Sequence, residues 1–226
     1  MAVSTVLFDL GGVIVDSPLH AFDAYEREAG LPEGIIRRIN TTNPDTNAWA
    51  RLERGQLDPD GFIPVFEAEA RTLGVTLDAR RVLAALSGAV RPAMVEAVRR
   101  LRASGLRLAL LTNNHVPMPR EGELGELLTL FDAVVESSVE GVRKPEPEFY
   151  ARALSRVGSP PADECVFLDD LGVNLKPARA LGMTTIKVSD PAEALQELAA
   201  VTGVDVTGTG TAGAGTGAAH RADPAA

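Results

Sequence analysis

The sequence predicts a three-layer α/β fold in which a mainly parallel sheet is covered on both faces and a helical insert separates the first strand from the second. Three observations carry this. Short apolar, β-branched runs alternate with segments of helical period. The alternation fails over one long stretch that reads as consecutive amphipathic helices. The acidic and polar residues able to do chemistry fall directly after the apolar runs. With 226 residues, 45% of them hydrophobic, the chain can bury a core for one α/β domain carrying an insert, or for two small domains.

Val3–Phe8 ends in apolar and β-branched residues, stops at Asp9 and is followed by Gly11 and Gly12, which reads as a buried strand entering a turn. Similar runs occur at Leu106–Leu111, Ala133–Val135, Val166–Leu168 and Thr184–Val188, with helical patterns such as Met94–Arg102 and Phe149–Val157 between several of them. Strands alternating with helices imply right-handed βαβ units and hence a Rossmann-like arrangement. From about Ser17 to Leu86 the pattern is helical throughout, broken at Gly30-Leu31-Pro32, Asn43-Pro44 and Asp58-Pro59. This is the expected cap, and its Phe22, Trp49, Leu52, Phe62 and Phe66 read as packing residues. The expected organisation is therefore an α/β core over 1–16 and 87–202, a helical cap over 17–86 and a tail over 203–226. That tail is dominated by Gly, Ala and Thr, with too few large apolar groups to offset ordering entropy, and is expected to be disordered. Its glycines lack the Lys-Ser/Thr of a phosphate-binding P-loop.

Composition excludes several function classes. Thirty-one acidic against twenty-two basic residues give a formal charge of −9, which opposes nonspecific attraction to nucleic acid or anionic lipid. A local basic pocket still suffices to capture a small phosphate. The single cysteine, Cys165, excludes an intrachain disulfide framework and a cysteine zinc cluster, and fits a reducing cytoplasm. The N-terminus lacks the basic start of a secretory signal, and its apolar stretch from Val3 to Val15 is interrupted by Asp9, Gly11 and Gly12. No other stretch approaches the length of a membrane span. His20, His115 and His220 show no metal-ligand spacing.

Asp9, Thr112 with Asn113, and the pair Asp169-Asp170 all fall just after expected strands. In an open parallel sheet, ligands collect outside the carboxyl ends of the strands, where strand order reverses. Each residue taken alone is better explained as a turn or helix cap. The pair is harder to explain that way. Adjacent carboxylates after Val166-Phe167-Leu168 repel unless one is solvated, protonated or neutralised by a cation. Mg²⁺ suits that task, since it takes oxygen ligands and commonly joins one or two carboxylates to a substrate phosphate. Asp9 supplies a further carboxylate if its strand neighbours that of Asp169. Lys144 precedes Pro145, which restricts its backbone, and a fixed ammonium there would clamp phosphate.

Together these segments resemble the haloacid-dehalogenase-like (HAD) hydrolase superfamily. Val6-Leu7-Phe8-Asp9-Leu10-Gly11-Gly12-Val13 is similar to its first motif and Leu110-Leu111-Thr112-Asn113 to its second. Lys144-Pro145 is similar to its third and Phe167-Leu168-Asp169-Asp170 to its fourth, in the right order and covering about Val3 to Val188. The stretches Val142–Tyr150 and Leu168–Lys176 resemble the helical-cap branch that contains the phosphatase domain of soluble epoxide hydrolase and sugar-phosphate phosphatases. The resemblance implies a HAD-like core and a Mg²⁺-dependent phosphatase acting on a small phosphorylated metabolite. In it Asp9 is the nucleophile that forms an aspartyl-phosphate, and Thr112 and Lys144 hold phosphoryl oxygens. Gly12 and Asn113 join them in binding phosphate. Asp9, the Gly11 carbonyl, Asp169 and Asp170 hold the metal, and Asn174 orients that shell.

One departure matters. Phosphatases of this family usually carry a second Asp two residues after the nucleophile as acid and base for the leaving group, and here Gly11 stands there. Such catalysis typically contributes about 10²- to 10⁴-fold. Asp16 lies beyond Val13-Ile14-Val15 and is not expected to substitute. The dehalogenase branch, which does not need that residue, and a non-catalytic phosphate-binding protein are the alternative readings. Trp49 and Arg51 are candidates for substrate contact, while substrate identity and oligomeric state are not legible.

Overall fold

The computed structural model describes residues 2–86 and 88–208. Five parallel strands, β1 (Thr5–Phe8), β2 (Arg107–Thr112), β3 (Ala133–Glu136), β4 (Cys165–Asp169) and β5 (Thr184–Lys187), form one sheet of order β3-β2-β1-β4-β5. Helices α1 (Pro18–Glu28), α2 (Ile35–Thr41), α3 (Ala48–Glu53), α4 (Pro59–Thr72) and α5 (Ala79–Ala84) intervene between β1 and β2. Helix α6 (Pro92–Ala103) leads back into the sheet, followed by α7 (Gly122–Leu128), α8 (Ser137–Glu140), α9 (Pro147–Arg156), α10 (Gly172–Ala180) and α11 (Pro191–Thr202). The architecture is the expected three-layer, Rossmann-like one.

The central strands β1, β2 and β4 read as apolar runs because both faces are buried, and their side chains still divide with period two. Val6, Phe8, Leu108, Leu110, Val166 and Leu168 pack against α6, α7 and α11. Leu7, Ala109, Leu111, Cys165 and Phe167 point the other way, onto Phe149, Tyr150 and Ala153 of α9 and Leu175 and Ala178 of α10. A third apolar cluster is made wholly from the insert, with Phe22, Ile36, Leu52, Phe62 and Phe66 among its buried members. At the Asp58-Pro59 break the Asp58 carboxylate accepts from Gly61 N at 2.7 Å and starts α4. A further break, between α4 and α5, falls at Gly74, whose φ of +78° ends the helix.

The chain enters and leaves the insert through two adjoining segments. Val15 and Val90 form an antiparallel bridge, Asp16 N donates to Ala89 O at 2.9 Å, and Arg91 N donates to Ile14 O at 2.8 Å. Gly88 is required there, since a β-carbon would lie 2.6 Å from the Asp16 carbonyl oxygen.

The expectation of disorder from Gly203 onward is corrected over its first residues. Gly203 closes α11 in the left-handed conformation, and Val206, 1% exposed, packs into the same cluster as α6. Composition averaged over the whole tail hides the contribution of Val204 and Val206. The remainder of that expected tail, 209–226, lies outside the described residues.

Candidate active site

From β1 the chain builds outward through β2 to β3, then returns to lay β4 on the other side of β1, so strand order reverses beside β1. Phe8 is in register with Leu110 and with Leu168, and Asp9 N donates to Leu168 O at 2.9 Å. Asp9, Thr112 and Asp169 therefore emerge at the same carboxyl end of the sheet, where the fold places ligands. Thr112 is buried at the end of β2.

Lys144 reaches this point from the loop before α9 and is 1% exposed. Its Nζ donates to Asp9 Oδ1 at 2.7 Å, Asp169 Oδ2 at 2.9 Å and the Leu111 carbonyl at 3.0 Å. Those three bonds use all the protons of the ammonium. Burial works against the Lys144 charge, but Asp169 and Asp9 more than offset it and hold the group above the usual lysine range. Asp9 Oδ1 also accepts from Leu10 N at 2.6 Å.

The two adjacent aspartates have different work. Asp169 is fully buried, and its oxygens accept from Leu171 N at 2.8 Å, from Asn174 Nδ2 at 3.0 and 3.1 Å, and from Lys144. Asn174 is itself fixed by Tyr150, whose hydroxyl donates to the Asn174 carbonyl at 2.6 Å. Asp170 is only partly buried and accepts a long bond, 3.4 Å, from Ser17 Oγ. Burial, reinforced by Asp169, pushes the Asp170 carboxyl up to about 6. Burial likewise pushes Asp9 well above the ordinary carboxylate range, against Lys144 and with the help of Asp169 and Asp170.

Carboxylate oxygens of Asp9, Asp169 and Asp170 lie within 4.8 Å of one another. Three carboxylates around one ammonium leave an excess of two negative charges when all are ionised. A divalent cation with a preference for oxygen matches that donor set and that charge. Asp9 and Asp170 are the better placed to hold it, because the oxygens of Asp169 are engaged by Asn174, Leu171 and Lys144.

Gly11 and Gly12 differ sharply. A β-carbon on Gly11 would meet only Pro18 Cδ, at 3.9 Å, so the position is open to a side chain that the sequence lacks. Gly12 has φ +77°, and a β-carbon there would fall 2.2 Å from Asp170 Oδ2. The N–H of Gly12 donates to Val15 O at 2.9 Å, and its carbonyl accepts from Arg91 Nη1 at 2.6 Å. What this residue supplies is room for Asp170. Arg91 Nε also engages Asp16 Oδ1 at 3.2 Å.

Asn113, also expected at phosphate, uses its side chain as a brace. Its Nδ2 donates to the Lys144 carbonyl at 3.0 Å and its Oδ1 accepts from Lys144 N at 2.9 Å. The same Nδ2 lies 3.2 Å from Glu53 Oε2 on α3, and Arg143 Nη1 donates to that oxygen at 2.5 Å. Burial raises the Glu53 carboxyl, with Arg143 opposing. Trp49 sits among Phe22, Phe62 and Phe66 at centroid distances of 5.7 to 6.0 Å, as packing requires, and turns its Nε1 to Glu53 Oε1 at 2.9 Å. Sequence reasoning missed Glu53, Arg91 and Ser17. The contacts that tie them to the site, with Asn113, Asp16 and Asp170, span 60 to 153 residues, and no local pattern announces such pairs.

A family of haloacid dehalogenase-like hydrolases matches residues 3–182. The chain is 36% identical over 203 residues to acyl-CoA dehydrogenase family member 10 of Mus musculus, covering 88% of this chain and 19% of that protein. It is 31% identical over 225 residues to bifunctional epoxide hydrolase 2 of Sus scrofa, covering 92% and 40%. It thus spans well under half the length of these two relatives. The sesquiterpene phosphatase astK of Aspergillus oryzae is 28% identical over 203 residues, covering 87% of this chain and 95% of that one. Among solved structures, an HAD family enzyme of Bacteroides thetaiotaomicron in complex with magnesium and inorganic phosphate superposes with a TM-score of 0.56 at 20% identity, over 82% of this chain and 94% of that one. The L-2-haloacid dehalogenase of Xanthobacter autotrophicus does so with the same TM-score at 23% identity, over 86% and 81%, so the fold alone does not choose between the two chemistries. The strand-end carboxylates, the buried lysine and the match over residues 3–182 together settle the family: this chain is a haloacid dehalogenase-like hydrolase.

Proposed function

We propose that this hydrolase is a Mg²⁺-dependent phosphoric monoester hydrolase that acts on a small phosphorylated metabolite through an aspartyl-phosphate on Asp9. The observation that carries the reading is the excess negative charge at the strand ends. Asp170, held by a long bond from Ser17, lies with Asp9 and Asp169 in a cluster of carboxylate oxygens within 4.8 Å of one another, and burial with Asp169 raises its carboxyl to about 6, crowding that a bound divalent cation would relieve. The sesquiterpene phosphatase and the Mg²⁺–phosphate complex support the same direction.

Asp9 attacks phosphorus, the bond to the leaving oxygen breaks, and water then attacks the aspartyl-phosphate to release phosphate and restore the carboxylate. Lys144 keeps Asp9 Oδ1 in place from 2.7 Å, and Thr112 lies at the adjoining strand end. Asp9, the Gly11 carbonyl and Asp170 would hold Mg²⁺, with Asp169 one shell further out. When bound, the cation neutralises phosphoryl charge, the dominant requirement of this chemistry. The buried strand-end setting keeps bulk water from the nucleophile.

Gly11 offers no proton to the departing oxygen. The favoured substrates are therefore those whose leaving groups need little protonation, such as anomeric sugar phosphates, acyl phosphates and aryl phosphates. The test is phosphate release with Mg²⁺ across aryl, acyl, anomeric and primary alkyl phosphates. Primary alkyl esters turned over as fast as the rest contradict the role assigned to Gly11. Halide release from 2-haloacids without Mg²⁺, and no phosphate release, contradicts the proposal itself. Because a side chain fits at position 11, Gly11→Asp should raise turnover of primary alkyl phosphates, by up to about 10²-fold. No gain in a folded, Mg²⁺-binding variant counts against this account.

A further inference from the structure

We infer that Glu53 is a positioning residue for this site: a carboxylate carried by the cap that sets the place of Lys144 through Asn113 and Arg143. The inference rests on the phosphatase reading for its consequence in turnover, but the coupling itself is a property of the folded chain. Glu53 Oε2 takes Arg143 Nη1 at 2.5 Å and Asn113 Nδ2 at 3.2 Å, while Oε1 takes Trp49 Nε1 at 2.9 Å. Asn113 passes the constraint on by two hydrogen bonds to the Lys144 main chain, and Arg143 is covalently the neighbour of Lys144. Lys144 Nζ then ends 2.7 Å from the nucleophile. Three contacts in series thus join a cap helix to Asp9.

The neighbouring residues reinforce the contact. Arg54 pairs with Glu146 at 2.7 Å, two residues beyond Lys144. Gly55, with φ +66°, lies so close to α8 that a β-carbon would fall 2.4 Å from the Ser138 carbonyl oxygen. Glu53, Arg54 and Gly55 therefore meet the core at three successive points, the first two beside Thr112 or Lys144 and the third on α8. Were the cap only to rest on the core, apolar contact would suffice. A carboxylate and guanidinium each only 13% exposed carry a desolvation cost that such contact avoids. Lifting the cap withdraws the acceptor from Asn113 and Arg143 together, so Lys144 is fully placed only when the cap is closed.

Amide exchange at Lys144, followed by NMR on the full chain, reads the coupling without any substrate. Glu53→Ala should speed exchange there by about tenfold or more, leaving Ile186 in β5 unchanged. With an aryl phosphate and Mg²⁺, the same variant should lose about 10- to 100-fold in kcat with KM moved far less, as expected of a misplaced catalytic group. Glu53→Gln keeps the shape but can serve only part of the donor set, and should fall between Ala and wild type in both measurements. Should Glu53→Ala not fold, Glu53→Gln alone decides. Lys144 exchange within about twofold of wild type in the folded variants overturns the inference whatever the turnover. If wild type releases no phosphate from any ester, the phosphatase reading falls, and faster Lys144 exchange in the variants still upholds the coupling.

Discussion

At Gly12 the backbone holds φ +77°, and a β-carbon would fall 2.2 Å from Asp170 Oδ2, whereas at Gly11 the same addition meets only ordinary contact. Gly12→Ala should therefore destabilise the protein by about 1–3 kcal/mol through backbone strain and displace Asp170, weakening Mg²⁺ binding. Gly11→Ala should change stability by no more than about 0.5 kcal/mol. Denaturant midpoints and Mg²⁺ titrations of the two variants check this, and equal effects would contradict it. Asp170 sets a pH dependence as well. Its carboxyl is raised from 3.8 to about 6, so in metal-free protein its contribution to stability is present below about pH 4 and is lost as pH rises through about 6. Mg²⁺ requires the ionised form, so the rise in Tm that Mg²⁺ produces should be small at about pH 5 and larger at about pH 7.5. An equal shift at both values, or one retained by Asp170→Asn, would remove Asp170 from the metal site. That Asp9, Lys144 and the acidic pair would meet was legible from the set rather than from any one of them, because each follows an apolar run or precedes a proline. The contacts of Asn113 and Gly12 within the chain, with Lys144 for one and with Val15 and Asp170 for the other, were not legible, because they come from folding.

The elements were legible to within a residue or two where burial is two-sided, since a strand such as Val166–Leu168 is apolar whichever face each side chain takes. What periodicity could not give was which face each residue serves; strand pairing assigns Val6 and Leu7 to opposite layers. In the cap, Asp58-Pro59 was legible as a break and proves to be a helix start, with Asp58 capping Gly61 N at 2.7 Å. Asp58→Ala should cost about 1 kcal/mol, measured by chemical denaturation, with catalytic constants unchanged. A loss of kcat without loss of stability would show that α4 reaches the chemistry in some other way. The turn at Gly74 escaped notice because a lone glycine in a helical pattern is a weak signal.

Across the whole molecule, the match over residues 3–182 leaves the fold and the hydrolase family secure, while the proposed chemistry rests on a cluster drawn from β1, β2, β4 and the loop before α9. Motif order along the chain made that cluster legible. The clasp between cap and core was not legible, because its charges lie 90 and 92 residues apart and look like ordinary surface residues in the sequence. The net charge of −9 has a local counterpart in the crowded carboxylates, whose excess negative charge is the basis for proposing a divalent cation at this site. No helix among the described residues is long and apolar enough to cross a membrane. The central claim is a covalent phosphoryl intermediate on Asp9, and Gly11, by leaving the attacking water without a base, should make that intermediate accumulate. The direct test is acid quenching during turnover of an aryl phosphate with Mg²⁺, followed by peptide mass mapping. The account predicts one phosphoryl group on the peptide carrying Asp9, absent without Mg²⁺ and absent in Asp9→Asn. Phosphate release with no adduct on Asp9, or with release retained in Asp9→Asn, would contradict it.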